Sequence, residues 1–145
     1  MEDVSVDEVL DGLLPDLMDI YEHKQVHLVR KQGEEPFMIH CNHSLAQILI
    51  SNLVKNSLLH NREGGELQII TTPASLAIRN TGDTPLDGEK LFRRFYHSMD
   101  GKKDSTGLGL AIARSIACSV SLRLTYSWQD GMHCFYLVKE TKNYR

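Results

Sequence analysis

The 145-residue sequence has only three cysteines and no C-x-x-C pair. Cys41, Cys118 and Cys134 are odd in number and irregularly spaced, which excludes a disulfide framework and the usual zinc spacings and fits reduced thiols. A basic excess is also missing. The formal charge of -3 argues against a general nucleic-acid binder, while leaving room for a small local basic site. No apolar run approaches the roughly 20 residues needed to span a bilayer. The acidic opening Met1-Glu2-Asp3-Val4 is no signal peptide. Internal repeats and low-complexity tracts are absent as well. What is there, 41% apolar and 24% charged residues, is the composition of one soluble globular domain with its own core.

Apolar residues from Val6 to Tyr21 recur at helical spacing, which predicts a helix within residues 4–24, started, broken or kinked at Pro15. Val26–Arg30 and Phe37–Cys41 read as short strands. Asn42 is placed to N-cap the next helix, about Ser44–His60. Glu66–Thr72 alternates as a half-buried strand does, and Ser75–Asn80 pairs back on it across a short turn. Asn80-Thr81-Gly82-Asp83-Thr84-Pro85 is a polar break at a strand end. Leu91–Tyr96 is a short helical or turn segment. A helix over Gly107–Ala117 is followed by strands Leu122–Trp128 and Met132–Val138, joined by an Asp130-Gly131 turn. The sum is a two-layer α/β sandwich of the α+β class, with three helices on one face of a mixed, mostly antiparallel sheet.

Two segments carry chemistry. The helix over Ser44–His60 is apolar around much of its circumference and should be buried, yet Asn52, Asn56 and His60 stand four apart in one stripe. Buried amides and imidazoles need partners. Either neighbouring backbone and water supply them, or the stripe lines a pocket for a polar ligand or a hydrated cation. The second segment is Thr106-Gly107-Leu108-Gly109-Leu110. Two glycines precede a helix whose first N–H groups and partial positive charge suit phosphate. A tight, closely packed turn is the plain alternative. Between these segments, Asp87–Ser105 has few core residues and reads as a mobile loop, with Lys90, Arg93, Arg94, Lys102 and Lys103 available to phosphate or simply solvated.

In this order the segments resemble the ATP-binding catalytic domain of bacterial sensor histidine kinases. Its Bergerat fold is shared with type II topoisomerases, mismatch-repair ATPases and heat-shock chaperones. Asn52-Leu53-Val54-Lys55-Asn56-Ser57 is similar to the family's asparagine box and Asn80-Thr81-Gly82 to its first glycine box. Leu91-Phe92-Arg93-Arg94-Phe95-Tyr96 is similar to the phenylalanine box, and Thr106–Ile112 to the second glycine box. The resemblance spans nearly the whole chain, so residues 1–145 are expected to form a single catalytic domain with an ATP lid over about 87–105.

The resemblance implies that Asn56 holds Mg²⁺ through its amide oxygen while ATP supplies the negative charge. It puts Asn52 near the phosphates or the metal's water shell and His60 beside adenine. It implies that the backbone of Gly107, Leu108 and Gly109 cradles phosphates, flanked by Thr106 and Leu110, and that Arg94 reaches them from a lid tethered by Phe92 and Phe95. Three departures stand out. Asn80, with Gly82 two residues on, occupies the place of an aspartate that reads the adenine amine. An amide oxygen still accepts there, but the charge is gone and a donor is added. Leu59 replaces a common phosphate-binding cation, leaving more to Lys55 or the lid. Asp104-Ser105 replaces a common lid glycine.

The kinases of this family transfer the γ-phosphoryl group of ATP to a histidine on a separate dimerisation domain, followed by an acidic residue. None of the seven histidines here precedes Asp or Glu. The chain is therefore expected to be a cytoplasmic, monomeric catalytic domain that binds ATP and ADP and lacks its own phosphoacceptor and sensor domains. Its partners would be the phosphoacceptor domain of the same kinase and a downstream response regulator, and not nucleic acid. Two alternatives share the fold: a serine kinase of the anti-sigma-factor type, and an interaction domain that has lost its nucleotide.

Overall fold

The computed structural model describes residues 1–82, 85–87, 90–93 and 108–140. Strand β1 (Glu2–Ser5) pairs antiparallel with β3 (Met38–Cys41) in a small two-stranded sheet. The main sheet has the order β2 (His27–Lys31), β4 (Glu66–Thr72), β5 (Ser75–Thr81), β7 (Met132–Lys139), β6 (Leu122–Gln129). β2 runs parallel to β4, and every other pairing is antiparallel. Helices α1 (Val6–Ile20), α2 (His43–Leu59) and α3 (Gly109–Ser119) form the second layer. α2 lies between the other two, against β5, and α3 lies against β6. The α+β sandwich expected from the sequence is the fold.

The alternation along the strands decides which row of side chains faces the helices. One row is Thr71, Leu76, Leu137 and Leu124, and the next is Ile69, Ile78, Phe135 and Tyr126. Most of these are nearly fully buried. Leu10, Leu14, Leu17, Ala46, Leu49, Ile50, Leu53, Val54, Ala113 and Ala117 close over them from the helices. At about 25 cal/mol per Å² of buried apolar surface, this interior is the main favourable term in folding.

The amino terminus corrects one expectation. The span 4–24, read as holding a helix alone, opens on strand β1, with Val4 opposite Ile39. Ser5 then N-caps α1, accepting a hydrogen bond from Glu8 N at 3.2 Å. Ser5-Val6-Asp7-Glu8 has the spacing of a capping box, and that sets the boundary. Pro15 lies on the exposed side of α1, and the helix continues through it. There the carbonyl that loses its intrahelical donor can face water.

Candidate functional site

At one end of the main sheet the inward row turns polar. Asn80, where apolar alternation along β5 stops, lies in register between Leu67 of β4 and His133 of β7, and Trp128 of β6 follows. Asn80 is buried at 1% exposure. Its Nδ2 donates to Thr81 O at 3.2 Å. Its Oδ1 is buried with no hydrogen-bond partner among the described residues. Such an acceptor costs about 1–3 kcal/mol when left unmet, and a donor from a ligand or an ordered water would meet it; Asn61 Oδ1 and Ser127 Oγ are likewise buried without a partner among the described residues.

His133 stands next to Asn80 in this row. Its ring packs on Gly82 so closely that a Cβ there would sit 2.2 Å from Nε2. Gly82 is thus dictated by space. Tyr126 Oη and His133 Nδ1 are 2.9 Å apart, hydrogen-bonded in a direction set by the imidazole tautomer. Leu86 N donates to the same Tyr126 oxygen, also at 2.9 Å. The chain leaving Gly82 is therefore pinned to the sheet end by a β6 tyrosine. Leu91 is buried, and Phe92 meets Phe135 edge-on at 6.3 Å. Phe92, given a tethering role by the resemblance, thus packs on β7. Phe95 and Arg94, with most of 87–105, lie outside the described residues.

Helix α2 supplies the side of the site. Asn42 caps it, accepting from Ser44 N at 2.8 Å. Asn52 and Asn56 are half-buried on the stripe predicted for them, Lys55 is exposed, and His60 is the half-buried C-cap residue. Asn52 Nδ2 donates to Ile48 O at 2.8 Å, which leaves its Oδ1 facing α3. A Cβ on Gly109 would come within 3.3 Å of that oxygen. The asparagine stripe therefore runs beside the amino end of α3. That end starts at Leu108, has no side-chain cap among the described residues, and carries Gly109 and Leu110 in its first turn. Thr106 and Gly107 fall outside the described residues. Uncapped N–H groups and the helix dipole favour an anion at such an end.

Three groups outside this site have shifted protonation. Burial pushes the Cys41 thiol up. On the sheet's open face, the hydrogen bond from Arg79 Nε to Cys134 Sγ raises the guanidinium above its ordinary value. Burial, with Cys134 beside it, raises the Tyr136 phenol.

Sequence reasoning picked out Asn52, Asn56, His60, Asn80 and Gly82, and the fold gathers them along α2 and at the adjoining sheet end. It missed His133 and Tyr126. The break in apolar alternation at His133 was a signal for the first, but only the β5–β7 register places it beside Asn80.

Comparison with known proteins bears on this arrangement. The family model for histidine kinase-, DNA gyrase B- and HSP90-like ATPases matches residues 42–140. The chain belongs to this family. Among curated relatives, the sensor histidine kinase Hik2 of Synechocystis is 25% identical over 142 residues, covering 88% of this chain and 33% of Hik2. The chain thus spans about a third of that relative's length. The catalytic domain of histidine kinase ThkA, in a nucleotide-free form, superposes with a TM-score of 0.80 at 19% identity, covering 97% of both chains. A structure of ThkA in complex with the response regulator TrrA matches with a TM-score of 0.76 at 16% identity, covering 96% of this chain and 41% of that one. The fold is that of histidine kinase catalytic domains. None of the helices among the described residues is long and apolar enough to cross a membrane.

Proposed function

We propose that this chain binds Mg·ATP in the space bounded by α2, the amino end of α3 and the Asn80 end of the sheet. It would present the γ-phosphoryl group to a histidine on a separate phosphoacceptor domain. The observation that carries this is the buried, unpartnered Asn80 Oδ1 in a member of an ATPase family. An exocyclic amine of adenine is a donor of the kind that oxygen lacks. The residues present fit the ligand's other parts. Asn56 offers an amide oxygen to a hard cation, His60 a flat ring beside the base, and Gly109 and Leu110 their N–H groups to phosphate oxygens.

Magnesium would screen the phosphate charge and polarise the γ-phosphoryl group. The chain's own part is positional. Asn56 orients the metal's coordination and Asn52 holds the water shell or a phosphate oxygen. Asn80 fixes the base, and Phe92 and Tyr126 anchor the two described stretches at the start of the expected lid. Lys55 and Arg94 are the cations assigned to phosphate. Transfer also needs a histidine from outside the domain, in line with Hik2, a sensor histidine kinase about three times as long as the stretch it shares with this chain. ThkA, solved with a response regulator, supports such a regulator as the downstream partner. Residues 1–145 would act as one catalytic domain on the cytoplasmic side, monomeric by itself.

The test is incubation of the chain with γ-labelled ATP, Mg²⁺ and a phosphoacceptor domain from the same organism. Acid-labile, base-stable label on the acceptor is the expected result. Acid-stable label would indicate a serine kinase, and nucleotide binding with no transfer to any such acceptor would overturn the kinase reading.

A further inference from the structure

The carboxyl end of α2 has no cation of its own, since its last turn holds no basic residue. Its final carbonyls are met from 34 to 37 residues away. The Lys24 ammonium donates to Leu58 O at 3.0 Å, to Leu59 O, and to Asn61 O at 2.8 Å. Lys24 belongs to a single 3-10 turn, Glu22–Lys24, between α1 and β2. The turn is itself held. Gly64 N donates to Lys24 O, and His27 N donates to Gly65 O, each at 2.8 Å. Gln25 takes a left-handed conformation, φ 54°, that swings the chain from the turn into β2.

One ammonium on three carbonyls at the negative pole of a helix is a charge-assisted clamp on that helix end. The clamped turn is not a neutral one. Asn56 O accepts from His60 N at 3.1 Å, closing the last turn. Asn56 and His60 therefore stand on the stretch that frays first when a helix end opens. The geometry points to Lys24 as a positioning residue for the nucleotide site. It keeps the last turn of α2 formed in the free protein, so that Asn56 and His60 are already in place when the ligand arrives. The inference rests on the nucleotide reading above and extends it to a residue that touches no ligand.

The test compares wild type with Lys24→Met and Lys24→Arg in the whole 145-residue chain. Hydrogen exchange without nucleotide is read first. Lys24→Met should speed exchange of the His60 and Asn61 amides and leave β4 and β5 amides unchanged. Affinity for Mg·ADP is then read by calorimetry at 10 °C, after circular dichroism has checked that the variant is folded there. If the last turn is formed in about one molecule in ten, apparent affinity falls about tenfold. Lys24→Arg, which keeps charge and donors, should restore both readouts to near wild type. A lowered melting point with unchanged affinity and unchanged exchange would make the clamp merely structural and overturn the proposal. So would an Arg variant as weak as the Met variant. Lys24→Gln replaces Lys24→Met if that variant does not fold, and failure of both to fold also overturns it. If wild type itself does not bind Mg·ADP, the nucleotide reading fails, and the exchange result alone decides whether Lys24 holds the turn.

Discussion

The two ends of the main sheet each bury a polar side chain, and they treat it oppositely. At the hairpin end, Asp7 of α1 is 7% exposed. It accepts from Phe37 N at 2.8 Å and from Thr71 Oγ1 at 2.5 Å, with Arg30 at 3.8 Å. Every one of these partners comes from the chain itself, and together they tie α1 to β2, β4 and the entry to β3. At the other end Asn80 is buried more deeply, and its oxygen has no partner among the described residues. A buried polar group met from within stabilises a fold. One left unmet costs stability and makes sense where a ligand meets it.

Four substitutions break or sharpen that contrast. The largest effect is expected at the self-satisfied end. Asp7→Ala strands the Phe37 amide and the buried Thr71 hydroxyl, while Arg30 keeps its ion pair with Asp11, and should cost about 3 kcal/mol in urea unfolding, with nucleotide affinity of the folded protein unchanged. A loss of affinity would mean that the two ends are coupled. Next is Asn56→Ala, which should weaken Mg·ADP binding by at least about 100-fold and remove its dependence on Mg²⁺, with little change in melting temperature. Affinity that stays as it was would sink the metal assignment. Gly82→Ala drives a methyl into the His133 ring and should cost about 2 kcal/mol, read by the same urea titration. Neutral behaviour there would show that the ring moves freely. The smallest effect is at Asn80. Asn80→Asp should lower the melting point without ligand, because a charge is buried, yet favour ADP over GDP by about fivefold more than wild type in competition binding. An unchanged preference would remove Asn80 from the base contact.

Much of this was legible in the sequence, for reasons that differ by element. β4 and β5 came out at nearly their observed bounds because period-two alternation is strong there. The last hairpin was legible because Asp130 and Gly131 are residues that take positive φ, here 53° and 74°. β1 was not legible. Four residues carry too little pattern, and their pairing is decided by β3. At the site, the asparagine stripe followed from helical spacing alone. Lys24 did not, because a lysine that caps carbonyls 34 residues away leaves no local signature. Nor did the row of Leu67, Asn80 and His133, which exists only once strand register is set.

The central claim is that the polar end of the sheet reads adenine. Thermal melting of the chain with Mg·ADP, beside Mg·GDP, tests it most directly. A ligand at about 100 times its Kd adds about 2.7 kcal/mol of stability, which at this size raises the midpoint by several degrees. The account predicts that rise with Mg·ADP and little or none with Mg·GDP. Equal shifts with both, or no shift with either at millimolar nucleotide, would contradict it.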